Sequence, residues 1–143
     1  MDPLTKKLGY QFENSSLLTQ AMTHPSRASE DRHEPADNQR LEFLGDAVIQ
    51  VILTKYLYCS LPDSAEGSLT KVRASLVSKQ ALASCARRLG LGEFLRLGKG
   101  EEASGGRDRD SNLADALESL LGAVFLDGGL APATAVAMRL MDE

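Results

Sequence analysis

The chain has 143 residues, 43% hydrophobic and 25% charged, with a formal net charge of -4. That length suffices for one domain with a sizeable core, and no apolar run approaches the ~20 residues of a helical membrane span. Cys59 and Cys85 show neither CxxC spacing nor accompanying histidines, which excludes a disulfide framework or zinc site, and they are assigned no chemistry.

The residues from Met1 to Lys7 lack the apolar core of a signal peptide, so a cytoplasmic protein is expected. Asp2 and Pro3 suit an N-cap and first helical position, and Asn14 is placed to cap a helix over 15–22 that Pro25 interrupts. Residues 26–37 read as a polar loop containing His33. His24, a lone histidine beside Pro25, fits a hydrogen-bonded structural group better than a substrate contact. A long helix is predicted over 38–59, about 33 Å at 1.5 Å per residue, stopping before Pro62. Helices over 66–77 and 78–89 follow, with Gly90 and Gly92 ending the second. The glycine-rich stretch 98–106 reads as a mobile loop. Another helix runs from 111 to about 127, Gly128-Gly129 breaks it, and a last helix is predicted after Pro132. Little in this pattern supports a sheet, so the expected fold class is all-α, a single domain over 1–143 without internal repeat or low-complexity tract.

Two of these helices carry acids where burial is expected. At about 100° per residue, Leu41, Leu44, Val48 and Ile52 share a core face, while Gln39, Glu42 and Asp46 form a stripe opposite, bordered by Ile49 and Leu53. In the second, Asp115 and Glu118 lie at i,i+3, opposite Leu113, Leu117, Leu120, Leu121 and Val124, with Gly122 one turn above. Like charges so spaced repel by a few tenths of a kcal/mol on an exposed helix, and burial raises that cost steeply. Each pair alone would pass for a solvated helix edge. Two together point to an oxygen-ligand site for a hard divalent ion, with Mg²⁺ the natural candidate because it takes few carboxylates and completes its shell with water and phosphate.

The run from Arg40 to Ile49, with Asn38 and Gln39 before it, resembles the signature of the ribonuclease III family. Leu113 to Gly129 is similar to that family's second acidic segment, Thr23-His24-Pro25-Ser26 to its early T-H-x-S element, and Glu66-Gly67 with Lys71 to Val77 to its middle helix. The resemblance covers nearly the whole chain. It implies an all-helical endonuclease domain that cuts double-stranded RNA with Mg²⁺, Mn²⁺ substituting, usually as a homodimer and without an organic cofactor. Products would carry 5'-phosphate and 3'-hydroxyl ends with short 3' overhangs. It also implies that Glu42, Asp46, Asp115 and Glu118 are the metal set, Asp46 and Glu118 being catalytic, with Glu66 an outer-shell or second-metal group.

The family usually has glutamate where this chain has Gln39, which keeps hydrogen bonding but loses charge and ligand strength. Many relatives also carry a double-stranded-RNA-binding domain, which these residues do not contain. The acidic balance is unpromising for an RNA-binding protein, but setting aside Glu42, Asp46, Glu66, Asp115 and Glu118 leaves the remainder slightly positive. Lys71, Arg73 and Arg107 are candidate phosphate contacts. Arg40 is expected to pair with nearby acids, and Phe43, off the core face, to anchor a dimer or to be buried within the monomer. Two other classes stay open: a catalytically silent dimerisation or RNA-binding module of the same fold, which four intact acids argue against, and a di-iron bundle, for which neither histidine has Glu-x-x-His spacing.

Overall fold

A computed structural model describes residues 2–142. In chain order its helices are α1 (Asp2–Leu8), α2 (Ser15–Ala21), α3 (Pro25–Ala28), α4 (Gln39–Ser60), α5 (Glu66–Leu76), α6 (Lys79–Leu89), α7 (Lys99–Ala103), α8 (Asp110–Gly128) and α9 (Leu130–Met141). Short 3-10 turns lie at Leu91–Phe94 and Gly106–Asp108. Among the described residues there is no strand, only an isolated parallel bridge between Thr23 and Arg96, and no helix is long and apolar enough to cross a membrane.

Local chemistry accounts for most of the boundaries. Asn14 caps α2, its Oδ1 accepting the Ser16 N–H at 3.1 Å, and Ser78 caps α6 through the Ala81 N–H at 3.1 Å. Gly90, at φ 71°, ends α6 in the left-handed conformation that glycine adopts without strain. The capping expected of Asp2 rests on a side chain outside those described. Helix α9 begins two residues before Pro132 rather than after it, because the first helical turn requires no N–H from proline.

Two segments expected to be irregular are better organised than their composition suggests. Residues 25–28 form α3, and the rest of that loop is tied down by Glu34, whose oxygens receive Arg27 Nε at 2.9 Å and Arg96 Nη2 at 2.6 Å. The stretch read as a mobile loop holds α7 and a 3-10 turn, braced by ion pairs of Arg107 with Glu102 and Arg109 with Glu101. The sequence shows the glycines there but not the partners that fix them.

The core is centred on α8, which is buried over most of its circumference and packs against α2, α4, α6 and α9. Its expected stripe is buried throughout, Leu113, Leu117, Leu120, Leu121 and Val124 all being at most 1% exposed. Each such side chain contributes about 1.5–3 kcal/mol of burial. In α4 the buried face comprises Leu41, Gly45, Val48, Ile49, Ile52, Leu53 and Leu57, rotated from the expected one so that Leu44 lies at its edge. The reason is that α4 meets α8 through Gly45.

Candidate metal centre

The crossing of α4 and α8 has two glycines at its centre. A methyl group on Gly45 would overlap the carbonyl oxygen of Glu118, and one on Gly122 would lie 2.5 Å from that of Leu41. With hydrogen in those places the backbones touch. The first two turns of α4 therefore lie against the middle of α8, and their acids share one space. Oxygens of Glu42, Asp115 and Glu118 all fall within 4.8 Å of one another, each residue half-buried. Asp46 is exposed and outside this set of three, but is a hydrogen-bonding neighbour of Glu118.

The electrostatics follow from the geometry. Burial, then the charge and hydrogen bond of Asp115, then the charge of Asp46, push Glu42 up to about 7. Burial, the hydrogen bond and charge of Asp46, and the charges of Glu42 and Asp115 push Glu118 up to about 8. Carboxyls raised in this way are short of a positive partner, and a hard divalent cation would supply one. Three convergent carboxylates fit a hard divalent cation.

Neutral side chains hold the acids in register. Ser119 Oγ, fully buried, lies 3.0 Å from the carbonyl oxygen of Asn38 and 2.8 Å from that of Asp115. The Asn38 carbonyl also accepts the N–H of Glu42 at 2.8 Å, and Asn38 Nδ2 donates to the Ala21 carbonyl at 3.2 Å. His24 Nδ1 accepts the Ser26 N–H at 3.0 Å, so its other nitrogen carries the proton and donates to Asn112 Oδ1 at 3.1 Å. His24 thereby caps α3 and ties it to the first turn of α8, the structural role expected of it. Asn112 and Ser119 gave no signal as site residues in the sequence. Gly45 was not singled out there either, although a glycine inside a helix, unfavourable by about 1 kcal/mol against alanine, is the signal that could have pointed to a close crossing.

The remaining candidates are not among the three converging acids. Gln39 stands exposed in the first turn of α4, and Glu66 in the first turn of α5. Lys71 is exposed on α5, and Arg73 donates from Nη1 to Thr54 Oγ1 at 2.8 Å. Arg107, a candidate phosphate contact, has its donors engaged within the chain: Nε and Nη2 engage Glu102, and Nη1 donates to the carbonyls of Gly92 and Leu95, both at 2.8 Å. Its donors brace the turn between α7 and α8. Arg40 is exposed without an acidic partner among the described residues, and Phe43, 83% exposed, is not buried in the monomer. Cys59 is an exposed free thiol and Cys85 a buried one.

The family model described as Ribonuclease-III-like matches residues 14–143. The chain belongs to that family. Among ribonuclease-III-like proteins, a Ribonuclease 3 from Caldanaerobacter subterraneus subsp. tengcongensis is 53% identical over 140 residues, covering 98% of this chain and 61% of the relative. One from Desulforamulus reducens is 56% identical over 128 residues, covering 89% and 52%. This ribonuclease-III-like chain thus spans about half to three-fifths the length of these curated relatives. A crystal structure of the nuclease domain of ribonuclease III from Campylobacter jejuni matches with a TM-score of 0.91 at 39% identity, covering 99% of this chain and 93% of that one. Dicer from Pichia stipitis, 23% identical with a TM-score of 0.65 over 92% of this chain and 55% of that one, shares the fold.

Proposed function

We propose that this chain is the nuclease domain of a divalent-metal-dependent endoribonuclease that hydrolyses phosphodiester bonds in double-stranded RNA. The observation that carries the reading is the meeting of Glu42, Asp115 and Glu118 across two helices, within a chain of the ribonuclease-III-like family. Mg²⁺ is the ion best suited to three half-buried carboxylates, with Mn²⁺ as a substitute, and Glu42, Asp115 and Glu118 would hold it with Asp46 alongside. A divalent ion so placed supplies activation of water and stabilisation of charge developing on the phosphate and leaving oxygen. Asp46, exposed and hydrogen-bonded to Glu118, is placed to orient water or take up its proton. Glu66 serves as an outer acid, and Lys71 with Arg73 on the exposed α5 makes phosphate contacts, giving modest, salt-sensitive affinity. Products carry 5'-phosphate and 3'-hydroxyl ends.

The domain acts as a homodimer in this reading. Phe43 projects from α4 at the edge of a hollow of about 380 Å³ that it lines together with Leu17, Gln20, Arg40, Leu41, Leu44 and Leu126. A knob and a hollow side by side on one surface suit a two-fold pairing in which each copy fills the other's hollow. Two sites then face one duplex, cut each strand once and leave short 3' overhangs. The domain works in the cytoplasm.

The test is cleavage of an end-labelled RNA duplex of about 30 base pairs, roughly three helical turns, in Mg²⁺, in Ca²⁺ and with chelator, by the unmodified chain and by Glu118→Ala. Cleavage only in Mg²⁺ and only by the unmodified chain is expected. Turnover by Glu118→Ala near that of the unmodified chain would overturn the site. A folded, metal-binding dimer that leaves the duplex intact would indicate a silent module instead.

A further inference from the structure

Beside the acids, on the α3 side, lies a cavity of about 150 Å³ lined by His24, Asn38, Gln39, Glu42, Asn112 and Asp115, with Pro25 and Leu95 as its apolar wall. Most of its polar groups are already engaged. Both nitrogens of His24 are bonded, Asn112 spends Oδ1 on His24 and Nδ2 on Glu101 and Gly106, and Asn38 Nδ2 is held by Ala21. Gln39 is different. Its backbone N–H is fixed by Asp37 Oδ1 at 3.0 Å, while its whole side-chain amide is uncommitted among the described residues.

We infer that this cavity is a ribose subsite and that Gln39 reads the 2'-hydroxyl of a nucleotide flanking the scissile phosphate. This inference rests on the nuclease reading above. The argument is one of matching chemistry. Glu42 and Asp115 form both the wall of this cavity and part of the metal centre, so a group entering it lies next to whatever phosphate the centre engages. A space of this size takes a pentose ring rather than a base pair, and Pro25 and Leu95 offer apolar surface to the sugar's C–H faces. A 2'-hydroxyl both donates and accepts, and it is the group by which a protein distinguishes RNA from DNA at a given position. An amide matches it with one donor and one acceptor end, whereas a carboxylate there would only accept. The braced His24 and Asn112 give the cavity a rigid floor, and Gln39 is an adaptable polar contact in its wall.

The experiment uses the 143-residue chain and a duplex of about 30 base pairs with one main cut, remade with a single 2'-deoxynucleotide at each position within two nucleotides of that cut. At one position the deoxy sugar should lower kcat/KM of the unmodified chain about tenfold, the scale of one hydrogen bond. Gln39→Ala should cleave the all-RNA duplex about tenfold more slowly and be indifferent to deoxy substitution at that position, with Gln39→Glu falling between. The subsite is overturned if no single deoxy sugar affects the unmodified chain, or if Gln39→Ala loses the same factor. An all-RNA duplex left uncut by the unmodified chain would instead overturn the nuclease reading. Binding of the same duplexes in Ca²⁺, followed by fluorescence anisotropy, then makes the Gln39 comparison without turnover.

Discussion

At the scale of single residues, protons and cations compete for the same oxygens. Glu42 and Glu118 remain protonated up to about 7 and 8 because burial and neighbouring acids disfavour their charge. A divalent ion must displace those protons. Mg²⁺ affinity should therefore rise as pH increases from about 6 to 8, and binding should release protons. Calorimetry in buffers of different ionisation enthalpy checks both, and a pH-independent affinity would mean that these carboxyls are not the ligands. Glu118→Gln should flatten the upper part of that profile. The four acids were legible in the sequence because each sits opposite an apolar stripe. Their division into three converging carboxylates and a flanking Asp46 was not, since it depends on how the two helices are rotated at their crossing.

At the scale of helices, the Gly45–Gly122 contact turns two separate acidic stripes into one site. Alanine favours an isolated helix over glycine by about 1 kcal/mol, so Gly45→Ala would stabilise α4 alone. In the folded domain its methyl group has no room against the Glu118 carbonyl, and the helices must separate. We expect a net loss of about 1–3 kcal/mol, the range for overpacking a filled core, read as a lower denaturant midpoint, together with weaker metal binding. An unchanged midpoint would show that the crossing can yield. Helix existence and the core stripe of α8 followed from apolar spacing. The order in residues 98–106 did not, because it comes from Arg107 and Arg109 reaching acids and carbonyls that spacing alone does not single out as their partners. Nor did the rotation of α4, which follows from a glycine whose importance lies in what it permits next to it.

At the scale of the whole molecule, the acidic centre sets how stability depends on pH. The folded chain keeps protons on Glu42 and Glu118 to about 7 and 8, whereas the unfolded chain releases them near 4.5. Between those values the folded state binds more protons, so this contribution to stability falls as pH rises. Glu34, held low by hydrogen bonds from Arg27 and Arg96, and Asp127, held low by Tyr10 and the N–H groups of Glu13 and Asn14, act oppositely and at more acid pH. They stabilise the fold above the ordinary carboxylate range and lose that effect as pH falls through their lowered values. Mg²⁺ should accordingly raise the melting temperature much more at pH 8 than at pH 5, as scanning calorimetry would show. An equal shift at both would place the stabilising ion elsewhere.

Helix α5 has no buried residue along its length. Eleven residues are too few for a helix to persist alone in water, so α5 depends on its lean against α4 and α6, and we expect it to open more readily than the core. Anything that lies along it, a second copy or an RNA backbone, must first hold it still. Part of the attraction is then spent on ordering, and association is weaker than the contact area alone would suggest. The same helix becomes a rheostat: changes in its intrinsic helicity, far from any carboxylate, would alter how tightly the domain holds its target without altering the chemistry performed there.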